Sequence, residues 1–365
     1  MKILYITTIG GTMNFFKSVI RDLLDAGHTV DIATNEKTSQ VPDCYREWGC
    51  EVYQINTSRS PLQKGNLKAI KQIKKIVADN HYDIVHCHTP VAAMCTRLAC
   101  RKARKNGTKV FYTAHGFHFY KGAPLKNWLV FYTIEKICSR WTDLLITINK
   151  EDYDLAQKKM RAKKIVYVPG VGIDVEKFAS AQADRSAKRQ EIGVPENAFL
   201  LLSVGELSNR KNHQAIIRAM AQLKNPNVHY IIAGKGSLLE KLESLAKELG
   251  VDKQFHPLGH RRDVAELYKT ADLFVFPSFQ EGLPVSVMEA RAAGLPIICS
   301  NIRGSVELVS EKNRFDPQNF TQIADFISAI MEGTATAECD EAELPLESLD
   351  RQYINSMMVA FYCNQ

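Results

Sequence analysis

Short apolar runs alternate with amphipathic stretches along nearly the whole chain, and this alternation restricts the possible folds more than any other feature. Runs of strand character fall at 2–7, 29–33, 51–55, 84–87, 109–113, 144–147 and 165–168, then at 199–204, 228–233, 273–276 and 296–299. The stretches between them have helical periodicity. Ala69, Ile73, Ile76 and Val77 form one stripe, with Lys68, Lys71, Lys74 and Lys75 on the other face. Strands alternating with helices predict parallel sheets covered by helices on both faces. The first run of each series ends near glycine, at Gly10-Gly11 and at Gly205, and the series meet at the turn-rich segment 169–174. A chain of 365 residues suits two domains. The expectation is α/β, with two doubly wound Rossmann-like domains at 1–170 and 171–345. Residues 332–345 hold five acids and no bases, which predicts a surface linker. A final helix is expected in 346–365, with Ser348 as its cap.

Charge divides the chain. Residues 1–170 carry 27 Lys/Arg against 14 Asp/Glu, a net of +13, while residues 171–365 carry 20 against 26, a net of −6. Bases concentrate at 67–76, 97–109 and 158–164. A basic half reads as a surface for anionic lipid or anionic substrate, or as solvated helix faces. Nucleic acid is not expected, because no helix-turn-helix, zinc or RNA-binding motif accompanies the charge. Nine cysteines without a C-x-x-C pair point to reduced thiols in a cytosolic protein. His86-Cys87-His88 superficially resembles a metal motif, but neighbouring side chains on a strand point to opposite faces, and no metal is expected. There is no apolar run of transmembrane length. The N-terminal run continues into a Gly-turn-helix pattern without a small-residue cleavage site, so it reads as the first strand.

The stretch from Pro277 to Glu307 concentrates the chemistry. It follows an apolar run, sets Glu281 in a loop, opens a helix at Leu283-Pro284 and carries Glu289 inside that helix. Ligands of parallel sheets bind at the carboxyl ends of strands, where helix N-termini face them. Pro284 suits a first helical turn, and the amides around Gly282, Leu283 and Val285 make an anion site. Carboxylates beside such a site would serve hydroxyls rather than the anion itself. Phosphate beside hydroxyls describes a nucleotide sugar.

Glu281-x7-Glu289, with Gly282, Pro284, Ala290 and Gly294-Leu295-Pro296, resembles the E-x7-E signature of family-4 retaining glycosyltransferases. The resemblance extends in order through the start of the chain with Gly10-Gly11, then 112–122, 168–174 and 203–213. It implies the GT-B architecture, two such domains facing across a cleft, and a last helix that returns to the first domain. It implies that Glu281 contacts donor-sugar hydroxyls and Glu289 the ribose, while Lys211 neutralises the diphosphate as leaving-group charge develops. The family's arginine five residues before that lysine is Glu206 here, with Arg210 close by. Gly10 and Gly11 would let backbone approach the donor. His115 matches the N-domain histidine near the donor sugar, with His118 alternating. Gly234 and the pair His260-Arg261 match loops near ribose and base. Transfer in this family is taken to proceed on one face without a side-chain nucleophile, metal or cofactor.

One region departs from the family pattern: residues 310–317 are shortened and lack glycine, so the last strand of the second sheet is expected to fray. The tracts 113–128 and 145–153 resemble members that build capsule or exopolysaccharide units. These use nucleotide-sugar donors, taken as UDP-linked in this case, and polyprenyl-diphosphate-linked saccharide acceptors. The expected location is cytoplasmic, peripheral on the cytoplasmic face of an anionic membrane. Alternatives are a UDP-sugar 2-epimerase of the same fold, or a catalytically degenerate binding subunit, which Glu206 would favour.

Overall fold

The computed structural model describes residues 1–338 and 342–363; residues 339–341 of the expected acidic linker lie outside the described residues. The chain divides into one unit of Met1–Val171 together with the segment from Arg351, and a second of Gly172–Asp350.

The first unit holds seven parallel strands: β1 (Lys2–Ile6), β2 (Thr29–Thr34), β3 (Val52–Gln54), β4 (Ile84–His88), β5 (Lys109–Ala114), β6 (Leu144–Thr147) and β7 (Lys164–Tyr167). Their order in the sheet is β3-β2-β1-β4-β5-β6-β7. The central strands are buried on both faces, which is why they read as unbroken apolar runs. Side chains part with a period of two. Leu4, Ile6, Val85 and Cys87 enter one core cluster, while Ile3, Tyr5 and Ile84 enter the other. The second cluster is completed from the far end of the chain. Helix Arg351–Cys363 contributes Ile354, Met358 and Tyr362. Its Asn355 donates to Ser18 Oγ at 2.7 Å and to Asp22 Oδ2 at 2.6 Å. This helix starts three residues beyond Ser348, which is not its cap; the Ser348 hydroxyl donates to the carbonyl of Pro345 at 2.7 Å.

The second unit repeats the winding with β8 (Phe199–Val204), β9 (Val228–Ala233), β10 (Phe255–Gly259), β11 (Leu273–Phe276), β12 (Ile297–Ser300) and β13 (Arg314–Phe315). The order is β10-β9-β8-β11-β12-β13, all parallel. Strand β10 is not apparent from sequence, because His256 and Pro257 break its apolar run. It occupies an edge, where proline is tolerated, and its register shifts between Pro257 and Gly259. At the other edge the shortened segment leaves a two-residue strand, β13, paired to β12.

Each sheet runs one way from its first strand and the other way from its fourth, so the switch of direction falls between β1 and β4 and between β8 and β11. Ligands of open α/β sheets bind outside the strand carboxyl ends at such points.

The basic stretch 97–109 presents less charge than the sequence suggests. Arg97 is buried, lies over the Tyr112 ring and pairs with buried Glu135 at 2.8 Å. Arg104 pairs with Asp143 at 2.7 Å. Among the described residues no helix is long and apolar enough to cross a membrane.

Candidate functional site

The switch point of the second unit is a charged assembly. Strand β8 ends at Gly205, and a loop leads to the helix Gln214–Leu223. That loop is pinned to the segment after β11 by several hydrogen bonds. Asn212 takes a left-handed backbone, φ 54°, a conformation for which asparagine is favoured. Its amide donates to the carbonyls of Pro277 at 3.1 Å and Pro317 at 2.9 Å. The Phe279 N–H donates to the Arg210 carbonyl at 2.9 Å, and Arg210 Nη1 to the Gln280 carbonyl at 3.1 Å. These bonds bring Lys211 and Arg210 against Glu281, whose Oε1 lies 2.9 Å from Lys211 Nζ and 2.5 Å from Arg210 Nη1. The ammonium of Lys211 also lies 4.7 Å from the centre of the Phe276 ring.

Burial pushes the Lys211 ammonium down, and the Glu281 carboxylate opposes that shift. Burial pushes the Glu281 carboxyl up, but Lys211 and Arg210 outweigh it and hold it below the usual carboxylate range. Two cations thus share the Glu281 carboxylate, and the exposed Glu206 also acts on Lys211 by charge. Lys211 is nearly enclosed, whereas Arg210 is half open to solvent.

Gly282, Leu283 and Pro284 lead from Glu281 into the helix Val285–Ala292. Pro284 is its N-cap with an extended backbone, one position before the expected first turn. The first-turn amides of Val285 and Ser286 have no intrahelical acceptor by construction, and the helix dipole adds to their attraction for an anion. Glu289 is half-buried in this helix and accepts a hydrogen bond from the phenol of buried Tyr268 at 3.0 Å. Gly234 follows β9 so close to the residue after β8 that an added Cβ would lie 1.8 Å from the Gly205 carbonyl oxygen, a packing reason for glycine there. His260 is exposed. Arg261 is engaged inside the protein, pairing with Glu191 and donating from Nε to Asp263 at 2.8 Å. Sequence reasoning missed Tyr268, the Phe276 platform and Ser278, a buried serine directly after β11 whose hydroxyl has no partner among the described residues. None of these belongs to a motif; only the contacts reveal them.

At the switch point of the first unit the strand ends carry histidines, with Arg59 lining the cavity beside them. His86 and His88 share a face of β4, with Cys87 on the other. His88 Nδ1 lies 3.1 Å from His115 Nε2, at the end of neighbouring β5. His86 is held by Thr113 at 2.8 Å and by Tyr362 of the C-terminal helix. Burial lowers all three: His115 to about 4, His86 to about 3 and His88 well below its ordinary value. These imidazoles are therefore uncharged at neutral pH, able to exchange hydrogen bonds with hydroxyls but not to bind an anion by charge. Gly10 is buried in a 3-10 turn, where a Cβ would lie 2.3 Å from the Ser39 carbonyl; Gly11 is beside it, crowded by the Ser39 hydroxyl. A cavity of about 300 Å³ opens beside this point, lined by Thr8, Thr12, Arg59, Thr89, His118 and Phe131. His118 stacks on Phe131 with ring centres 4.6 Å apart.

Both units match known protein families. Residues 184–342 match the family model of glycosyl transferases group 1, and residues 2–149 match that of glycosyl transferase 4-like domains. A putative glycosyltransferase EpsD of Bacillus subtilis (strain 168) is 41% identical over 265 residues, 72% of this chain and 70% of that protein. The UDP-Gal:alpha-D-GlcNAc-diphosphoundecaprenol alpha-1,3-galactosyltransferase of Escherichia coli is 32% identical, covering 74% of this chain and 70% of its own length. In fold, the chain superposes on Anabaena Alr3699/HepE, solved in complex with UDP, with a TM-score of 0.81 at 22% identity over 100% of both chains. The matches give no support to the epimerase alternative. Family models matching both units and relatives of this closeness show that the chain belongs to the group 1 glycosyltransferases, with the family-4, GT-B organisation.

Proposed function

We propose that the protein is a retaining, metal-independent transferase. It moves a sugar from a UDP-linked donor to a polyprenyl-diphosphate-linked saccharide in exopolysaccharide or capsule assembly, at the cytoplasmic face of the membrane. The observation that carries this reading is the Lys211–Arg210–Glu281 assembly at the β8/β11 switch point. Support for the acceptor comes from the Escherichia coli relative, whose name gives a diphosphoundecaprenol-linked saccharide, and from the similarity to EpsD.

The donor diphosphate takes its place at the two cations and the first-turn amides of Val285 and Ser286. Lys211, enclosed and therefore weakly screened, stabilises the charge that grows on the phosphate as the glycosidic bond breaks. A carboxylate accepts hydrogen bonds only, so Glu281 orients sugar hydroxyls and Glu289 the ribose. Neutral His115 exchanges hydrogen bonds with a sugar hydroxyl. The departing phosphate oxygen takes the acceptor's proton on the same face, so no side chain acts as nucleophile or base.

The test is transfer from UDP-sugars to a polyprenyl-diphosphate-linked saccharide, with the product anomer assigned by NMR and EDTA in excess. The reading predicts transfer with the donor's anomeric configuration preserved and undiminished by chelation. Inversion, or loss restored by Mg or Mn ions, would contradict it. Tight UDP binding with neither transfer nor slow UDP release would identify a binding subunit instead.

A further inference from the structure

Residues 125–138 form one helical segment with two very different faces. It comprises Leu125–Asn127, a π turn at Trp128–Tyr132, and Thr133–Cys138. One face holds Trp128, Phe131 and Tyr132 against the core of the first unit, with Glu135 and Cys138 buried. The other face holds Leu125, Leu129 and Ile137, exposed by 73%, 66% and 45%. These positions are multiples of four apart, with exposed Thr133 completing the row. In a regular α-helix a spacing of four drifts by about 40° per step, which would wind such a row around the helix. The π turn unwinds the helix in the middle of the row and counters that drift. The result is an exposed row, apolar at three of its four positions, facing away from the core.

The charges around the stripe have one sign. Lys121, Lys126, Lys136 and Arg140 flank it, and the acid within the segment, Glu135, is buried and paired with Arg97. Beyond it, Glu151 accepts from the Lys121 N–H at 3.4 Å. Exposed leucines bordered by cations on a helix that lies along the surface fit the boundary between headgroups and acyl chains of an anionic bilayer. Lysine stems can lie along the apolar zone while their ammonium groups reach phosphate.

We infer that the stripe Leu125–Leu129–Ile137 inserts into an anionic membrane and is the docking element of the first unit. The inference deepens the lipid-linked acceptor reading and rests on it for its purpose. The cavity lined by His118 and Phe131 is bordered by this same helix, so docking would bring a membrane-held acceptor's polar head beside the first unit's switch point. The basic helix Gly65–Asn80 then plays a secondary, electrostatic part.

The test needs no acceptor, so an error in the acceptor assignment leaves its readout intact. Purified protein is pelleted with vesicles of phosphatidylcholine alone, and with vesicles of equal parts phosphatidylcholine and phosphatidylglycerol. The wild type should pellet with the mixed vesicles and keep part of that binding at high salt, where exposed charges are screened. The variant L125Q/L129Q/I137Q should lose roughly tenfold or more in partition, with unchanged melting and unchanged UDP affinity. K68Q/K71Q/K74Q/K75Q should lose less. Four outcomes would overturn the inference: wild-type binding by the stripe variant, no pelleting of the wild type, complete loss of wild-type binding at high salt, or a wild-type dimer that the stripe variant splits. The last would make the stripe an interface between copies. If docking holds but no lipid-linked saccharide is glycosylated, the functional reading fails and this one stands.

Discussion

The two units wind their sheets in the same order and present the same switch point, yet the chemistry placed there is opposite. After β8 and β11 stand two cations and a carboxylate, held in an ion cluster. After β4 and β5 stand imidazoles kept neutral by burial. Net charge over the halves runs the other way, +13 for residues 1–170 and −6 for 171–365. The net charge of a domain therefore says little about where its anion site lies. Part of the first unit's basic charge is paired internally, as at Arg97 and Arg104. Lys211, enclosed at the second switch point, is the group proposed to work on a diphosphate.

The sharpest way to break this comparison is to remove one group from each site. Lys211→Ala should lower transfer by about 10²–10³, the scale for loss of one fixed group that stabilises developing charge. His115→Ala, which removes only neutral hydrogen bonding, should cost about tenfold. Equal losses, read as kcat/KM, would end the distinction.

Acid should act on both units, since burial lowers His213 and His256 of the second to about 4, and most deeply on the first. Its histidines have folded values of about 3 for His86 and about 4 for His115, against about 6.5 unfolded. The unfolded chain then binds more protons, so stability is full above about pH 6.5 and falls as pH drops toward the folded values. At pH 4.5 the loss should be about 2–3 kcal/mol for fully buried His86. Thermal melting followed from pH 7 to 4.5 reads it; a flat profile would mean the cluster accepts protons without cost.

Within the second unit, Glu289→Ala should weaken UDP-sugar binding about tenfold to a hundredfold, the worth of a charge-assisted hydrogen bond of about 1.5–3 kcal/mol. Melting should scarcely change, because the Tyr268 phenol keeps the Ser286 carbonyl at 3.1 Å. Calorimetric titration separates these effects. Arg210→Ala should cost least, under about tenfold in UDP affinity, since its half-exposed guanidinium is screened by water. A loss as large as that of Lys211→Ala would move the main cationic role to Arg210.

Most of the fold was legible because parallel strands buried on both faces appear as unbroken apolar runs, as at Ile84–His88 and Val228–Ala233. Strand β10 was not, since its edge position tolerates the proline that hides it. In the site, Glu281 and Glu289 could be picked out because a loop and a helix start carry them at fixed spacing, and Lys211 through the family resemblance. Their grouping could not: Arg210 and Glu281 meet across 71 residues through the pinning of two loops. The pairing of His88 with His115 depends on the register of β4 against β5, where His88 faces Thr113. Arg97 is indistinguishable from a surface base until Glu135 is seen beside it. The stripe at 125–137 depends on a π turn that no residue pattern announces.

The central claim is that the second unit's charged switch point holds the nucleotide diphosphate and the first unit's switch point does not. Titration of UDP into the wild type, Lys211→Ala and His115→Ala tests it most directly. The account predicts that UDP binds the wild type and His115→Ala with equal affinity, and Lys211→Ala at least about tenfold more weakly. Unchanged affinity in Lys211→Ala, or a loss confined to His115→Ala, would contradict it.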